Sequence, residues 1–156
     1  MKHPNVMENF QRTISYGITA GDDGRMTLRS LLQDRIHDIE VEIIADTTTL
    51  EIVDSRAEFR RAPTSDCIHA AERLKLLHGF VIGRGLSRKL TEAFGGPRGC
   101  GNLRTMLAGL LPLALNLQAC AGIEGEQEVL DAIHEKLLGT CAGYVRPVAE
   151  VPQKTS

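Results

Sequence analysis

The chain contains no tryptophan, and its aromatic fraction is only 4%. The stacking platforms that hold single-stranded nucleic acid are therefore not expected. No two of its cysteines, Cys67, Cys100, Cys120 and Cys141, stand in a Cys-x-x-Cys spacing, which removes the local signature of a zinc ribbon and points to reduced thiols. Blocks of like charge are also missing. The formal net charge is −2 and the pI about 6.2, so no overall field draws the chain to a polyanion. The most apolar stretch, Leu103 to Ala121, is interrupted by Gly109, Pro112, Asn116 and Gln118, so a membrane span is not expected. Met1 to Asn9 lack the basic start, apolar run and small-residue cleavage site of a secretory leader. Together these absences predict a cytoplasmic protein with neither nucleic acid nor membrane as partner. A monomer and a homo-oligomer both remain open.

What is present is an ordinary globular composition, 42% hydrophobic and 24% charged over 156 residues, enough for a single domain with its own core. An ordered core over about 10–140 and a loose tail over 145–156 are expected. The front half reads as sheet. Ile14, Tyr16 and Ile18 alternate, Ala20 to Gly24 supply turn chemistry, and Met26 to Leu32 resume an extended pattern. From Ile36 to Ala45, Ile39, Val41 and Ile43 share one face and Asp38, Glu40 and Glu42 the other, after which Asp46 to Thr49 turn into a strand over Leu50 to Phe59.

The back half reads as helix. Pro63 to Asp66 offer caps for a helix with Cys67, Ala70, Ala71, Leu74 and Leu77 at helical spacing, closed by Gly79. A short helix capped by Ser87 runs to Phe94. Leu103 to Ala121 is predicted as a buried helix, apolar nearly all round, kinked or broken at Pro112. A last helix over Gly125 to Leu138 turns Val129, Ile133 and Leu137 inward. Strands first and helices after define an α+β fold, an antiparallel sheet with helices packed on it.

The chemistry concentrates in Gly95-Gly96-Pro97-Arg98-Gly99-Cys100-Gly101-Asn102-Leu103. Glycines there allow the backbone to approach a ligand, and free N–H groups at the next helix start attract anions and favour a thiolate at Cys100. Arg84, Arg88, Lys89, Arg98 and Arg104 cluster in sequence with Glu92 as the only acid among them, and Arg60 and Arg61 end the last strand. They suggest an anionic pocket framed by the glycine loops, with Arg61, Arg84, Gly99 and Gly101 binding substrate. His37 shares the parity of Ile39 and is expected to project toward the helices, away from Asp38. Cys67 and Cys100 each open a helix and, with His37, form an alternative zinc or iron ligand set.

On these residues the chain resembles a bacterial family known only as a domain of unknown function, family 2889. The likeness covers most of the chain, from the first hairpin through the apolar helix. It lies in His37-Asp38-Ile39 leading a strand, Cys67 opening a helix, Gly79 to Leu86 with paired glycines, and Gly99-Cys100-Gly101-Asn102-Leu103. The family typically shows Gly-Cys-Thr-His-Leu at that last place. Here Gly101 and Asn102 stand where the threonine and histidine would be, and an amide neither titrates near neutrality nor binds zinc well. The resemblance implies a small catabolic enzyme acting on an organic acid or aromatic compound. The order of elements is also similar to that of the iron–sulfur scaffold fold, a likeness of order that assigns no function.

The leading expectation is a cofactor-independent lyase or isomerase acting on an anionic or phenolic molecule, by loss of formaldehyde or carbon dioxide for example. In it His37 moves a proton, Arg98 and Arg104 stabilise negative charge, and Asn102, with the N–H groups around Cys100, orients an oxygen. The alternatives are a metal or iron–sulfur carrier using Cys67, Cys100 and Cys120, and a non-catalytic module for an acyl or phosphorylated ligand.

Overall fold

The period-two alternation of the front half becomes a four-stranded antiparallel meander. Its strands are β1 (Thr13–Ala20), β2 (Arg25–Gln33), β3 (Asp38–Asp46) and β4 (Ile52–Arg61), side by side in chain order. The structure, a computed structural model, describes residue 5 and residues 7–144; the tail expected over 145–156 lies outside the described residues. On β3, Ile39, Val41, Ile43 and Ala45 are buried. The register sets Leu32 opposite Ile39 and Leu28 opposite Ile43, with Ser30 between them opposite Val41, so one sheet face is apolar but for that serine.

The other face is ionic. Glu42 accepts from Arg29 at 2.7 Å and from Arg56 at 3.0 Å, and those two guanidinium groups hold its carboxyl below the usual range. Arg60 bridges Glu40 and Asp38. Such exposed pairs contribute little individually, about 0–1 kcal/mol, but they keep this face in water and the apolar one turned to the helices.

The helices differ in detail from their sequence patterns. Residues Ser65–Leu77 wind as a 3-10 helix rather than an α-helix, with Ala70, Leu74 and Leu77 buried and Cys67 and Ala71 only partly so. The segment must return from the end of β4 to its beginning, where Gly79 N–H donates to the Ile52 carbonyl. At roughly 2.0 Å per residue against roughly 1.5 Å for an α-helix, the same residues reach further along β4 when wound as a 3-10 helix. The next helix, α1 (Leu86–Phe94), is capped by Gly85 in the left-handed region at φ 83°, and Ser87 lies inside it.

The long apolar helix is broken at Pro112 into α2 (Gly101–Leu110) and α3 (Leu113–Ala119). It is also one-sided rather than buried all round. Leu103, Met106, Leu107 and Leu110 face the core, whereas Arg104, Thr105 and Ala108 are exposed. Each buried side chain of this size contributes about 1.5–3 kcal/mol. α2 packs on β1 and β2 and the 3-10 helix on β4, with α1 against both helices. The fold is α+β, as the sequence pattern indicates.

The residues group into two compact units, Met1–Gln118 and Ala119–Ser156. In the second, α4 (Glu126–Leu137) ends before Gly139 at φ 76°. Val129, Ile133 and Leu137 are half-buried there rather than core. His134 meets the Tyr144 ring edge-on, at a centroid distance of 5.5 Å.

Candidate functional site

The turn between β2 and β3 is organised by Asp34, a residue that the sequence pattern does not single out. Its Oδ1 accepts from the backbone N–H of Ile36 at 2.7 Å and of His37 at 2.6 Å. This Asx-type turn delays the start of β3 to Asp38, two residues later than alternation suggests. His37 consequently lies in the turn and not on β3. Its Nδ1 stands 3.1 Å from Asp34 Oδ1, so the partner of His37 is Asp34 and not its neighbour Asp38.

Asp34 is reached from two further elements. Arg12, just before β1, donates from Nε and from a terminal nitrogen to Asp34 Oδ2, each at 2.8 Å, and its other terminal nitrogen donates to Asn102 Oδ1 at 3.0 Å. Arg61, at the end of β4, donates to the Asp34 backbone carbonyl at 2.9 Å. The Asp34 side chain is 0% exposed, His37 15% and Arg12 34%. Burial pushes the Asp34 carboxyl up. The N–H groups of Ile36 and His37 and the side chains of Arg12 and His37 together more than offset this and lower it from 3.8 to about 2. At neutral pH the cluster therefore holds a buried, fully ionised carboxylate against an imidazole.

Three residues expected from sequence to act together, His37, Arg61 and Asn102, are thus joined through Asp34 and Arg12. The remaining expected residues stand elsewhere. Arg98, Gly99 and Cys100 line an open cleft of about 650 Å³ with Cys67, His69 and Arg73 on its opposite wall. The two cysteines do share a cleft, as their helix-opening positions suggest.

Arg104 lines a separate groove of about 350 Å³ with Ser87 and Thr91 of α1. Arg84 is exposed in the turn between Gly83 and Gly85, Arg88 pairs with Glu92 at 3.0 Å, and Arg60 belongs to the ionic sheet face. The arginines thus do not frame one pocket.

The glycines of the loop have different jobs. A Cβ on Gly99 would overlap the Phe94 carbonyl, so this residue is glycine because the loop folds back onto the end of α1. Gly101 opens α2 in free space. Cys100 precedes it as an N-cap without a side-chain capping bond, leaving the first N–H groups of α2 without a side-chain acceptor at the N-cap. Among the described residues no three His, Cys, Asp or Glu side chains come together as a metal-holding group. The set Cys67, Cys100 and His37 is not assembled, and Cys120 belongs to the second unit.

The sequence model of the family described as "Protein of unknown function (DUF2889)" matches residues 10–116. That is more than half of the chain, and the chain belongs to this family. The matched span begins before Arg12 and ends after Asn102, so it contains every member of the Asp34 cluster. No curated protein and no solved structure matches it. No helix among the described residues is long and apolar enough to cross a membrane.

Proposed function

We propose that the chain is a small enzyme of the lyase or isomerase type, acting without a cofactor on an anionic or phenolic molecule, with His37 as the group that moves the proton. The observation that carries this reading is the Asp34–His37 pair. A carboxylate on Nδ1 fixes the tautomer and orientation of an imidazole, frees Nε2 to accept a proton, and stabilises the imidazolium that results. With its carboxyl held at about 2, Asp34 keeps its charge while His37 cycles.

The tie from Arg12 to Asn102 Oδ1 leaves the Asn102 amide N–H groups to orient a substrate oxygen. Proton transfer next to a phenol or carboxylate lets a bond to formaldehyde or carbon dioxide break, with the electron pair held in the conjugated system until a proton returns.

The test is a panel of phenolic and carboxylate compounds incubated with purified protein, with release of formaldehyde or carbon dioxide followed. Turnover that falls by about 10²–10⁴ in a folded His37→Ala variant supports the reading, that being the usual contribution of a general base. Turnover retained in that variant, or none with any compound, contradicts it.

A second reading, a ligand-binding module, draws on the cleft between Cys67 and Cys100 with Arg98 on its wall. It expects an anion bound tightly without turnover, with binding weakened by Arg98→Ala. The carrier reading retains only the two cysteines of that cleft, which no third metal-ligating side chain joins among the described residues, and stoichiometric zinc or iron in purified protein is its test.

A further inference from the structure

The meander has two edges, and they are built differently. The β4 edge carries exposed Asp54, Arg56, Glu58 and Arg60. Its ladder with β3 is irregular at two places. At its start the edge is taken up by Gly79–Ile82, through the Ile52 N–H to Phe80 carbonyl bond and a bridge from Glu51 to Val81. Charges, bulges and covering segments are the devices by which sheets keep edges from pairing.

Among the described residues β1 has none of them. Thr-Ile-Ser-Tyr-Gly-Ile-Thr-Ala is eight residues without a charge or proline. Its register with β2 runs unbroken from Thr13↔Gln33 to Ala20↔Met26. The backbone groups that alternate away from β2 have no hydrogen-bond partner among the described residues. On the core-facing side Tyr16 remains 40% exposed, and Ile14 and Ile18 only half-buried, because the sheet stops there.

We infer that β1 is the association edge of this protein, and that its occupant is β1 of a second copy, paired antiparallel about a twofold axis to make one continuous eight-stranded sheet. The chemistry favours a second copy on two counts. An antiparallel twofold brings the same strand against itself, so the pairing places no charge opposite a like one within the strand. With Tyr16 opposite Tyr16, it also sets Ile14 of one strand beside Ile18 of the other, so the half-covered apolar residues of the two edges cover one another.

Sedimentation across micromolar concentrations tests the inference. The expected particle is about twice the chain mass of 17.1 kDa. In Ser15→Lys/Thr19→Lys, both exposed β1 positions, the dissociation constant should rise by about tenfold or more. Val53→Lys on β4 should leave it unchanged. Hydrogen exchange on the unaltered protein supplies a readout that survives if the double variant fails to fold. In the dimer the alternate β1 amides are protected, and they lose protection on dilution. A wild-type mass of one chain at every concentration overturns the inference, as does a dimer that the double lysine variant retains. So does free exchange of alternate β1 amides in the dimer, which would assign the contact to another strand or surface.

Discussion

Replacing Asp34 by asparagine is the sharpest perturbation of the β2–β3 turn, because it keeps the shape and one acceptor oxygen while removing the charge. The amide oxygen can still accept from the Ile36 and His37 N–H groups. What is lost is charge assistance in the Arg12 contacts at 2.8 Å and the His37 contact at 3.1 Å. The fall of the Asp34 carboxyl from 3.8 to about 2 sets the scale, at about 1.4 kcal/mol for each unit. Because Arg12 is 34% exposed and its attraction is screened, the expected loss is about 1–2 kcal/mol. Asp34→Ala also leaves two turn N–H groups without an acceptor, and its loss should reach about 2–4 kcal/mol. For a chain of this size each kcal/mol moves the melting temperature by about 2–4 °C.

The pH dependence follows from the direction of the shift. The carboxyl is depressed in the folded state, so its contribution is fully present above the unfolded value of 3.8 and is lost as pH falls toward about 2. Urea unfolding of wild type and Asp34→Asn at neutral pH and at pH about 2 measures both effects. The gap between them should close in acid. Two proteins equally stable at neutral pH, or a gap that survives unchanged in acid, would refute the argument.

The loop glycines separate cleanly. Gly99→Ala should cost more than about 2 kcal/mol in thermal or urea unfolding, since its Cβ meets the rigid Phe94 backbone, whereas Gly101→Ala should be within about 0.5 kcal/mol of wild type. Ser30, on the core-facing side of β2, has a buried hydroxyl without a partner among the described residues. Ser30→Ala should therefore be neutral or raise stability by up to about 1 kcal/mol in the same assay. On the ionic sheet face Glu42→Gln should cost less than about 1 kcal/mol, and that cost should shrink in high salt.

The sheet was legible because burial on one face imposes a period of two, and Ile39, Val41 and Ile43 carry it without interruption. The break at Pro112 was legible for an equally local reason, the missing N–H and the ring of proline. The 3-10 winding of Ser65–Leu77 was not, because Cys67, Ala70, Ala71, Leu74 and Leu77 recur at intervals of three and four that do not separate a 3-10 from an α-helix. The β2–β3 turn was misplaced because Gln33-Asp34-Arg35-Ile36 has neither glycine nor proline. Its one signal, an aspartate three residues before a histidine, is a side-chain turn device that reads as an ordinary surface charge.

The candidate site follows the same division. His37, Arg61 and Asn102 could be named from their residue types, but Arg12 and Asp34, 22 positions apart, become one cluster only when β1 and β2 pair. The arginines that looked contiguous from Arg84 to Arg104 were dispersed because α1, the glycine loop and α2 point them into different spaces.

The most direct test of the account is the tautomer of His37, read from ¹⁵N chemical shifts of the imidazole in alkaline solution and assigned with His37→Gln. A proton on Nδ1 facing Asp34 and a bare Nε2, with that preference lost in Asp34→Asn, is the predicted result. A proton on Nε2 in the wild type would mean that the carboxylate does not orient the ring, and would contradict the assignment of His37 as the group that takes the proton.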